Sequence, residues 1–576
     1  MKYTEILSEN SRYEKNLKGE RYSIKVLSNI VVNQLGDILE YGSRKASIPA
    51  IVSFGDYDNI IQDGFNPTDA NLVIIFWELP NFIEGLHYRV DALTNDEMTM
   101  LEEKIVNEIL LVFDSLESIP LVLFNRFSSL LFNQSTPLQG HLETLANRLN
   151  NRIDQMVLNN IHLVNVDKVI ATVGIQNSAD FRYFYSSKAL YTIAFFQAYV
   201  NTILPYILAA NGKMKKAIIF DCDNTLWGGI LGEDGLDNIS LSPNNRVGTV
   251  FSEVQGLALS LKKNQGVLLG LCSKNNPADV DKVLDEHPDM LIKKDDLSIK
   301  KVNWNDKVSN LKQISNELNI GLDSIVFVDD SDFEVELIKK ELPEITVLKV
   351  PTKIYKYPML LRNAFGLFFG MGQTDEDRNK TQIYKQQNER KAEEKSFSNI
   401  DDYLESLGLK IRVYVDDSSS IMRLAQISQK TNQFNLTTTR YTDSLISKLI
   451  LESNVRVVSI SVSDKFGESG ITGLCILKFD RMAKAGHIET LLMSCRIIGR
   501  NIEYAFMDTL ICLVKKEGVS KLNASYRKTS KNEQVSDFYT RCGFTSLDTI
   551  ESVTRYSLDV NNYKEKDIKY IEVLSE

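Results

Sequence analysis

The sequence predicts a multidomain α/β protein in three folded regions: an α/β region over residues 1–212, a doubly wound parallel-sheet region over 213–372, and an α+β region over 399–576. Three observations predict it. Up to residue 372, short apolar runs alternate with stretches of helical periodicity, as parallel strands joined by crossover helices require. Residues 375–395, DEDRNKTQIYKQQNERKAEEK, are almost wholly polar with mixed signs, so 373–398 reads as a solvated helical linker. Beyond it, helices over 421–428 and 503–517 mix with strands over 455–462, 473–479 and 487–493, an α+β pattern. A chain of 576 residues has room for about three to five domains, and 43% hydrophobic residues is ordinary for a folded protein.

In the first region, residues 23–27, 50–54 and 71–76 read as buried strands and 98–116 as a helix, and 121–125 and 162–166 continue the strand series. Asn211, Gly212 and Lys213 mark a turn. The second region opens with a strand over 215–220, followed by a helix with Val250, Val254, Leu257 and Leu261 on one face. A strand over 267–272 leads into a helix started by Asn276 and Pro277, where proline suits the first helical position because its missing N–H would have no partner there. A helix carrying Val308, Leu311, Ile314 and Leu318, a strand over 324–328, a helix after Asp332 and a strand over 346–350 complete the unit.

Charge and cysteine usage exclude whole classes of function. The net charge is −10, with no basic footprint for nucleic acid or an anionic membrane. The six cysteines, Cys222, Cys272, Cys475, Cys495, Cys512 and Cys542, contain no CxxC pair, so they read as free thiols in a reducing compartment. The first residues have no apolar core like that of a signal peptide, and no stretch holds the about eighteen uninterrupted apolar residues of a membrane helix. The expected location is the cytoplasm.

The chemistry concentrates in the middle region. Residues 218–225, IIFDCDNT, run an apolar strand into two carboxylates, Asp221 and Asp223, with the hydroxyl of Thr225 two residues further on. Ligand sites in open α/β sheets lie outside the carboxyl ends of the strands, so both acids face one crevice. Paired carboxylates there suit a divalent cation and phosphoryl transfer, one acid attacking phosphorus and the other exchanging protons. Ser273 and Lys274 follow the next strand, Lys307 opens a helix, and Asp329, Asp330 and Glu334 follow another strand. A hydroxyl and ammonium groups can hold phosphate oxygens, and the further carboxylates can hold Mg²⁺.

In this order the residues resemble the motifs of the haloacid dehalogenase (HAD) superfamily: DxDxT at Asp221, Asp223 and Thr225, then Ser273, Lys307 and the acidic pair Asp329 and Asp330. The resemblance implies that Asp221 is a nucleophile forming an aspartyl phosphate and that Asp223 is the general acid/base. It also implies a Mg²⁺ site formed by Asp221, the carbonyl of Asp223 and the Asp329–Asp330 pair, with Asp330 as the ligand. Around these motifs run FDCDNTLWGGILGEDG at 220–235, LCSKNN at 271–276, VDDSDFE at 328–334 and QKTNQFNLTTTRYT at 429–442. Gly228 and Gly229 permit close backbone approach to a phosphate, and Trp227 is placed to cover the site against water.

Together with GDYD at 55–58 and the polar linker, these stretches resemble the FkbH-like family over essentially the whole chain. The resemblance implies a glyceryl transferase/phosphatase. Such an enzyme takes 1,3-bisphosphoglycerate, captures glyceryl as an enzyme thioester, removes the remaining phosphate and passes glyceryl to the phosphopantetheine thiol of an acyl carrier protein. Either Cys222 or Cys272 could be the thiol. Cys272 is preferred, because Ser273 and Lys274 beside it favour a thiolate and the two carboxylates flanking Cys222 oppose one. The competing readings are a plain phosphatase of a small phosphomonoester and a non-catalytic scaffold.

The C-terminal region carries Arg496, Gly499, Arg500 and Asn501 before a helix, and FYTRCGF at 538–544. These resemble patterns of the GNAT acyltransferase fold, with Asn501 in place of the last small residue of its RxxGxG/A motif. The resemblance implies either a groove for a pantetheine arm or a fold that braces the middle domain. Residues 430–435 with Arg440 are expected at an interdomain cleft. The N-terminal region resembles an SGNH-hydrolase-like domain without its catalytic set: Ser53 sits in SFGD, and Tyr183 follows Asp180 where a histidine base is needed. It is expected to bind or dock rather than hydrolyse.

Overall fold

The computed structural model describes residues 1–16, 21–65, 69–133, 138–371, 386, 390, 393–394, 397, 399–529, 531–550 and 552–575. Apart from five of these, the expected linker 373–398 lies outside the described residues. The chain divides into two compact units, Met1–Asn211 with Tyr441–Lys448, and Gly212–Arg440 with Leu449–Glu576.

In the first unit, strands β1 (Tyr22–Ser28), β2 (Ala50–Phe54), β3 (Leu72–Phe76), β4 (Leu121–Asn125) and β5 (Ile161–Val164) form an all-parallel sheet in the order β2-β1-β3-β4-β5. β3 and β4 are buried at every position, as their unbroken apolar runs LVIIF and LVLFN require between two helical layers. Helix Asn95–Ser115 starts at a capping box in which Thr94 and Glu97 satisfy each other's backbone N–H groups. Ser53, at the end of β2, is exposed, and Asp180 is held by Arg182. Helix Ile193–Ala210 has the length and mean hydropathy, 1.5, to cross a membrane. Gln197 and Asn201 interrupt its apolar run, and Phe195, Phe196, Tyr199, Val200, Ile203 and Ile207 are buried within the unit.

Glu78 lies buried beside this helix, accepting a 2.7 Å hydrogen bond from the Tyr191 hydroxyl. Burial raises its pKa from 4.5 to about 7 despite that bond. The folded state therefore holds a proton that the unfolded chain has lost, and stability falls as pH rises from the unfolded value through about 7. The expected loss is roughly 3 kcal/mol across that window, and Glu78→Gln flattens it, as denaturant unfolding at a series of pH values would read.

In the second unit, β6 (Ala217–Phe220), β7 (Leu268–Ser273), β8 (Leu297–Val302), β9 (Ile325–Asp329) and β10 (Thr346–Lys349) form a parallel sheet in the order β10-β9-β6-β7-β8. β6 lies at its centre with β9 and β7 on either side, so their carboxyl ends are adjacent. The helices start where the sequence places them: Asn276 caps Pro277–Glu286, Asp306 caps Lys307–Leu318 and Ser331 caps Asp332–Glu341. β8, LSIKKV, is an edge strand that the apolar pattern missed, since Lys300 and Lys301 interrupt it.

The rest of this unit is built on a large mixed sheet of β11 (Leu409–Val415), β12 (Phe434–Asn435), β13 (Val455–Asp464), β14 (Gly467–Asp480), β15 (Ala485–Met493), β16 (Lys521–Arg527), β17 (Thr545–Ile550), β18 (Val553–Asp559) and β19 (Ile571–Ser575). β15 and β16 pair in parallel over only four residues, from Ala485/Lys521 to Ile488/Ala524, and then diverge. The gap is filled by the chain itself. β12 pairs with Leu492 and Met493 of β15, the Leu436 N–H donates to the Leu491 carbonyl, and the Arg527 N–H of β16 donates to the Leu436 carbonyl.

Residues 213–372 share one compact unit with most of 399–576, Tyr441–Lys448 being assigned to the other. Polar contacts between them explain it: Asn319 Nδ2 donates to the Cys495 carbonyl at 2.7 Å, Lys216 Nζ to the Lys430 carbonyl at 3.0 Å, and Lys531 pairs with Asp323.

Candidate active site

Asp221 follows β6, Ser273 ends β7, Asp329 ends β9 and Lys307 opens the helix after β8. The parallel register thus brings residues 108 positions apart in sequence to one end of the sheet. Lys307 is the centre of the cluster. Its Nζ lies 2.7 Å from Asp329 Oδ2 and 3.2 Å from Asp221 Oδ1, with all three side chains buried. Burial alone would lower the lysine pKa, but the Asp221 and Asp329 carboxylates more than offset it and push it up. Burial raises Asp221 and Asp329, against the downward pull of Lys307. Asp330, half-buried, is raised by burial and by the neighbouring Asp329.

Among the described residues, Asp221, Asp329 and Asp330 bring carboxylate oxygens within 4.8 Å of one another. An all-oxygen, acidic donor set of this kind fits a hard divalent cation such as Mg²⁺. Asp329 is fully buried and engaged by Lys307 and by the Ser331 N–H, which leaves Asp221 and Asp330 better placed to present oxygens. The Asp223 carboxylate stands outside the cluster. It accepts hydrogen bonds from Trp227 Nε1 at 2.9 Å, the Leu231 N–H at 3.0 Å and Asn275 Nδ2 at 3.0 Å. Three donors fix its orientation. Asn275 lies in the LCSKNN run, whose local pattern carries no signal for this role.

Two expectations need correction here. Trp227 does not cover the site: it is fully buried among Leu226, Leu231 and Phe251, and its contribution is the indole N–H that holds Asp223. Trp227→Phe removes that donor and leaves a small cavity, so turnover should fall roughly 10- to 100-fold, with the melting temperature also lowered by several degrees. The second correction concerns the thiol. Cys272 is fully buried, packed with the side chains of Leu311 and Ile314, and burial drives its pKa far up in spite of Lys307. Cys222 is equally enclosed, and burial followed by Asp221 raises it further. Both thiols are buried, and the same burial disfavours their thiolate forms.

The remaining predicted residues are dispersed. Thr225 is buried, and Lys274 pairs with Glu334 at 2.7 Å beside the acidic cluster. Gly229 takes φ +103°, a conformation that favours glycine, and its N–H meets Asn224 Oδ1 at 3.0 Å, closing the turn after the DxDxT run. Of the expected pantetheine contacts, Arg500 is buried against Asp464, which also takes two 2.7 Å bonds from Arg390, and it donates to the Arg496 carbonyl. Asn501 Nδ2 bonds the Tyr570 hydroxyl, and Gly499 turns the chain at φ +87°. These contacts commit Arg500 and Asn501 to packing. Arg496 lines a cavity, together with Lys430, Thr431, Asn432 and Gln433.

With this geometry in place, solved structures give a point of comparison. The N-terminal part of the protein BF1531 from Bacteroides fragilis, containing a phosphatase domain complexed with Mg, has a TM-score of 0.56 and 23% identity over 65% of this chain and 100% of its own. The likeness is one of fold. Spermidine N-acetyltransferase SpeG from Vibrio cholerae and the ribosomal-protein-S18-alanine N-acetyltransferase from Escherichia coli each cover 27% of this chain and 96% and 97% of their own, at 12% and 11% identity and TM-scores of 0.22 and 0.21. No protein-family model and no curated protein matches the chain. The protein is a multidomain α/β chain that shares the fold of a phosphatase-containing structure.

Proposed function

We propose that the protein is a Mg²⁺-dependent enzyme of the HAD type, a glyceryl transferase/phosphatase of the FkbH-like kind. On this reading it takes 1,3-bisphosphoglycerate, forms a glyceryl thioester, removes phosphate and loads glyceryl onto the phosphopantetheine thiol of an acyl carrier protein. One observation supports the phosphatase half above all others: Asp221, Asp329, Asp330 and Lys307 meet at the carboxyl ends of β6 and β9, with Asp223 held beside them by three donors.

Asp221 is the group placed to attack phosphorus, and Lys307 orients its carboxylate. Asp223, fixed by Trp227, Leu231 and Asn275, gives a proton to the departing oxygen and then takes one from the water that releases phosphate from Asp221. The Asp221, Asp329 and Asp330 carboxylates would hold Mg²⁺, which when bound supplies positive charge to the phosphate oxygens. The magnesium in the Bacteroides fragilis structure supports Mg²⁺ as the cofactor. The acyl half rests on the resemblance of the motifs, with GNAT-like and SGNH-like flanking domains as further parts of the proposal.

A plain phosphatase is the second reading, favoured by the full burial of Cys222 and Cys272. Incubation with Mg²⁺, 1,3-bisphosphoglycerate and a phosphopantetheinylated carrier protein separates the two. Glyceryl on the carrier together with released phosphate supports the transferase, and released phosphate with an unmodified carrier supports the phosphatase.

A further inference from the structure

Away from the acidic cluster, the second unit has an open-mouthed cavity of about 310 Å³ whose wall includes Lys216, Arg423, Lys430, Cys495, Arg496 and Lys531. Five cations meet there with a single carboxylate, Asp323, and that carboxylate is already paired with Lys531. In a chain of net charge −10, such an excess of positive charge marks a site for a small anion. The cavity walls are held in shape by Arg440, which is half-buried and donates to the carbonyls of Ser428 and Thr431 and to the Asn432 side chain. The buried Gln433 Oε1 has no hydrogen-bond partner, leaving an acceptor at the wall for a ligand donor.

The cavity lies far from Asp221. Lys216 immediately precedes β6 and Asp221 immediately follows it, a span of about 16 Å along an extended chain. The wall also carries a nucleophile, since Cys495 is a free, half-buried thiol, unlike Cys222 and Cys272. Burial lowers the pKa of Lys216, with the neighbouring Cys495 acting in the opposite direction. Lys216 and Cys495 line the same cavity, which sets a cation and a thiol on one wall.

We propose that this cavity is a second reaction site, at which Cys495 accepts the acyl group of a small anionic acyl phosphate as a thioester. The inference rests on the transferase reading and gives it the thiol that the buried cysteines cannot provide. The Cys495 sulfur forms a bond to the acyl carbon, and the bond from that carbon to the phosphate oxygen breaks. Phosphate leaves with the electron pair into the cationic wall and takes up the thiol proton, so that hydrogen phosphate departs beside Lys216. Acyl capture and phosphate-ester hydrolysis then occur at opposite ends of β6, so on this proposal the acyl group passes to the long, flexible phosphopantetheine thiol before, rather than after, its remaining phosphate is removed.

The test is peptide-mapped mass spectrometry of the whole protein after incubation with 1,3-bisphosphoglycerate, followed by hydroxylamine to confirm a thioester. The proposal expects a hydroxylamine-labile acyl group on Cys495, lost in Cys495→Ser and kept in Cys512→Ser, whose thiol is exposed elsewhere. Lys216→Met should slow adduct formation by roughly tenfold or more, with the melting temperature reporting that each variant is folded. An adduct on another cysteine, or one that survives in folded Cys495→Ser, overturns the proposal and leaves the transferase reading standing. Released phosphate with no adduct on any thiol of the wild-type protein overturns both.

Discussion

Asp221→Asn should abolish phosphate release while leaving the protein folded. The substitution keeps the shape of the side chain and removes the nucleophilic oxygen, so turnover of a phosphomonoester with Mg²⁺ should fall by about 10³-fold or more. Stability should change little. The Asp221 carboxylate is held against its own burial, which already disfavours the charged form, and Lys307 retains its 2.7 Å partner Asp329 when Asp221 is neutral. Matched kinetics and denaturant melts of the two proteins check both halves. Undiminished turnover in the variant would remove Asp221 from the chemistry.

Lys307→Met should have the largest effect on stability. Lys307 is 4% exposed and stands between two buried carboxylates, so its loss leaves Asp221 and Asp329 unpaired in a site that already raises both pKa values by burial. Removing one partner of a buried ion pair costs about 3–5 kcal/mol, far more than the pair itself contributes relative to apolar packing. Denaturant unfolding should show that loss, and the double variant Lys307→Met with Asp329→Asn should recover part of it because the stranded charge is gone. A loss below about 1 kcal/mol would mean that solvent reaches the carboxylates freely.

The sheet that carries the site was readable because its inner strands are uninterrupted apolar runs. IIFDCDNT places a strand, its end and two acids within eight residues, and Ser273, Lys307 and Asp329 fall at the ends or starts of elements marked by Asn276–Pro277 and by helical periodicity. Edge strands were less readable: β8 is broken by two lysines, and β17 is exposed at all six positions, so neither has an apolar face to display. β11, with its alternation of buried and exposed residues, carries a period-two signal that went unused.

The site's supporting contacts lay beyond local pattern. Nothing in LWGG says that Trp227 turns inward to hold Asp223, since a tryptophan after a catalytic loop can equally face the substrate. The preference for Cys272 weighed sequence neighbours, whereas burial depends on Leu311 and Ile314, about forty residues away. Arg500 looked free to meet an anion because its partner, Asp464, sits at the end of a strand 36 residues earlier. Cys495 drew no notice for the same reason: the cations around its cavity come from four separate stretches of chain, Lys216, Arg423 with Lys430, Arg496 and Lys531.

The central claim is that phosphate passes through Asp221, and the most direct measurement is to trap it there. The protein is mixed with Mg²⁺ and a small phosphomonoester and quenched during turnover with borohydride, which reduces an acyl phosphate to an alcohol. Peptide mass spectrometry then reads position 221. The account predicts homoserine at that position, dependent on substrate and absent when Mg²⁺ is chelated. Turnover with an unreduced Asp221, or with the reduced residue at another carboxylate, would contradict it.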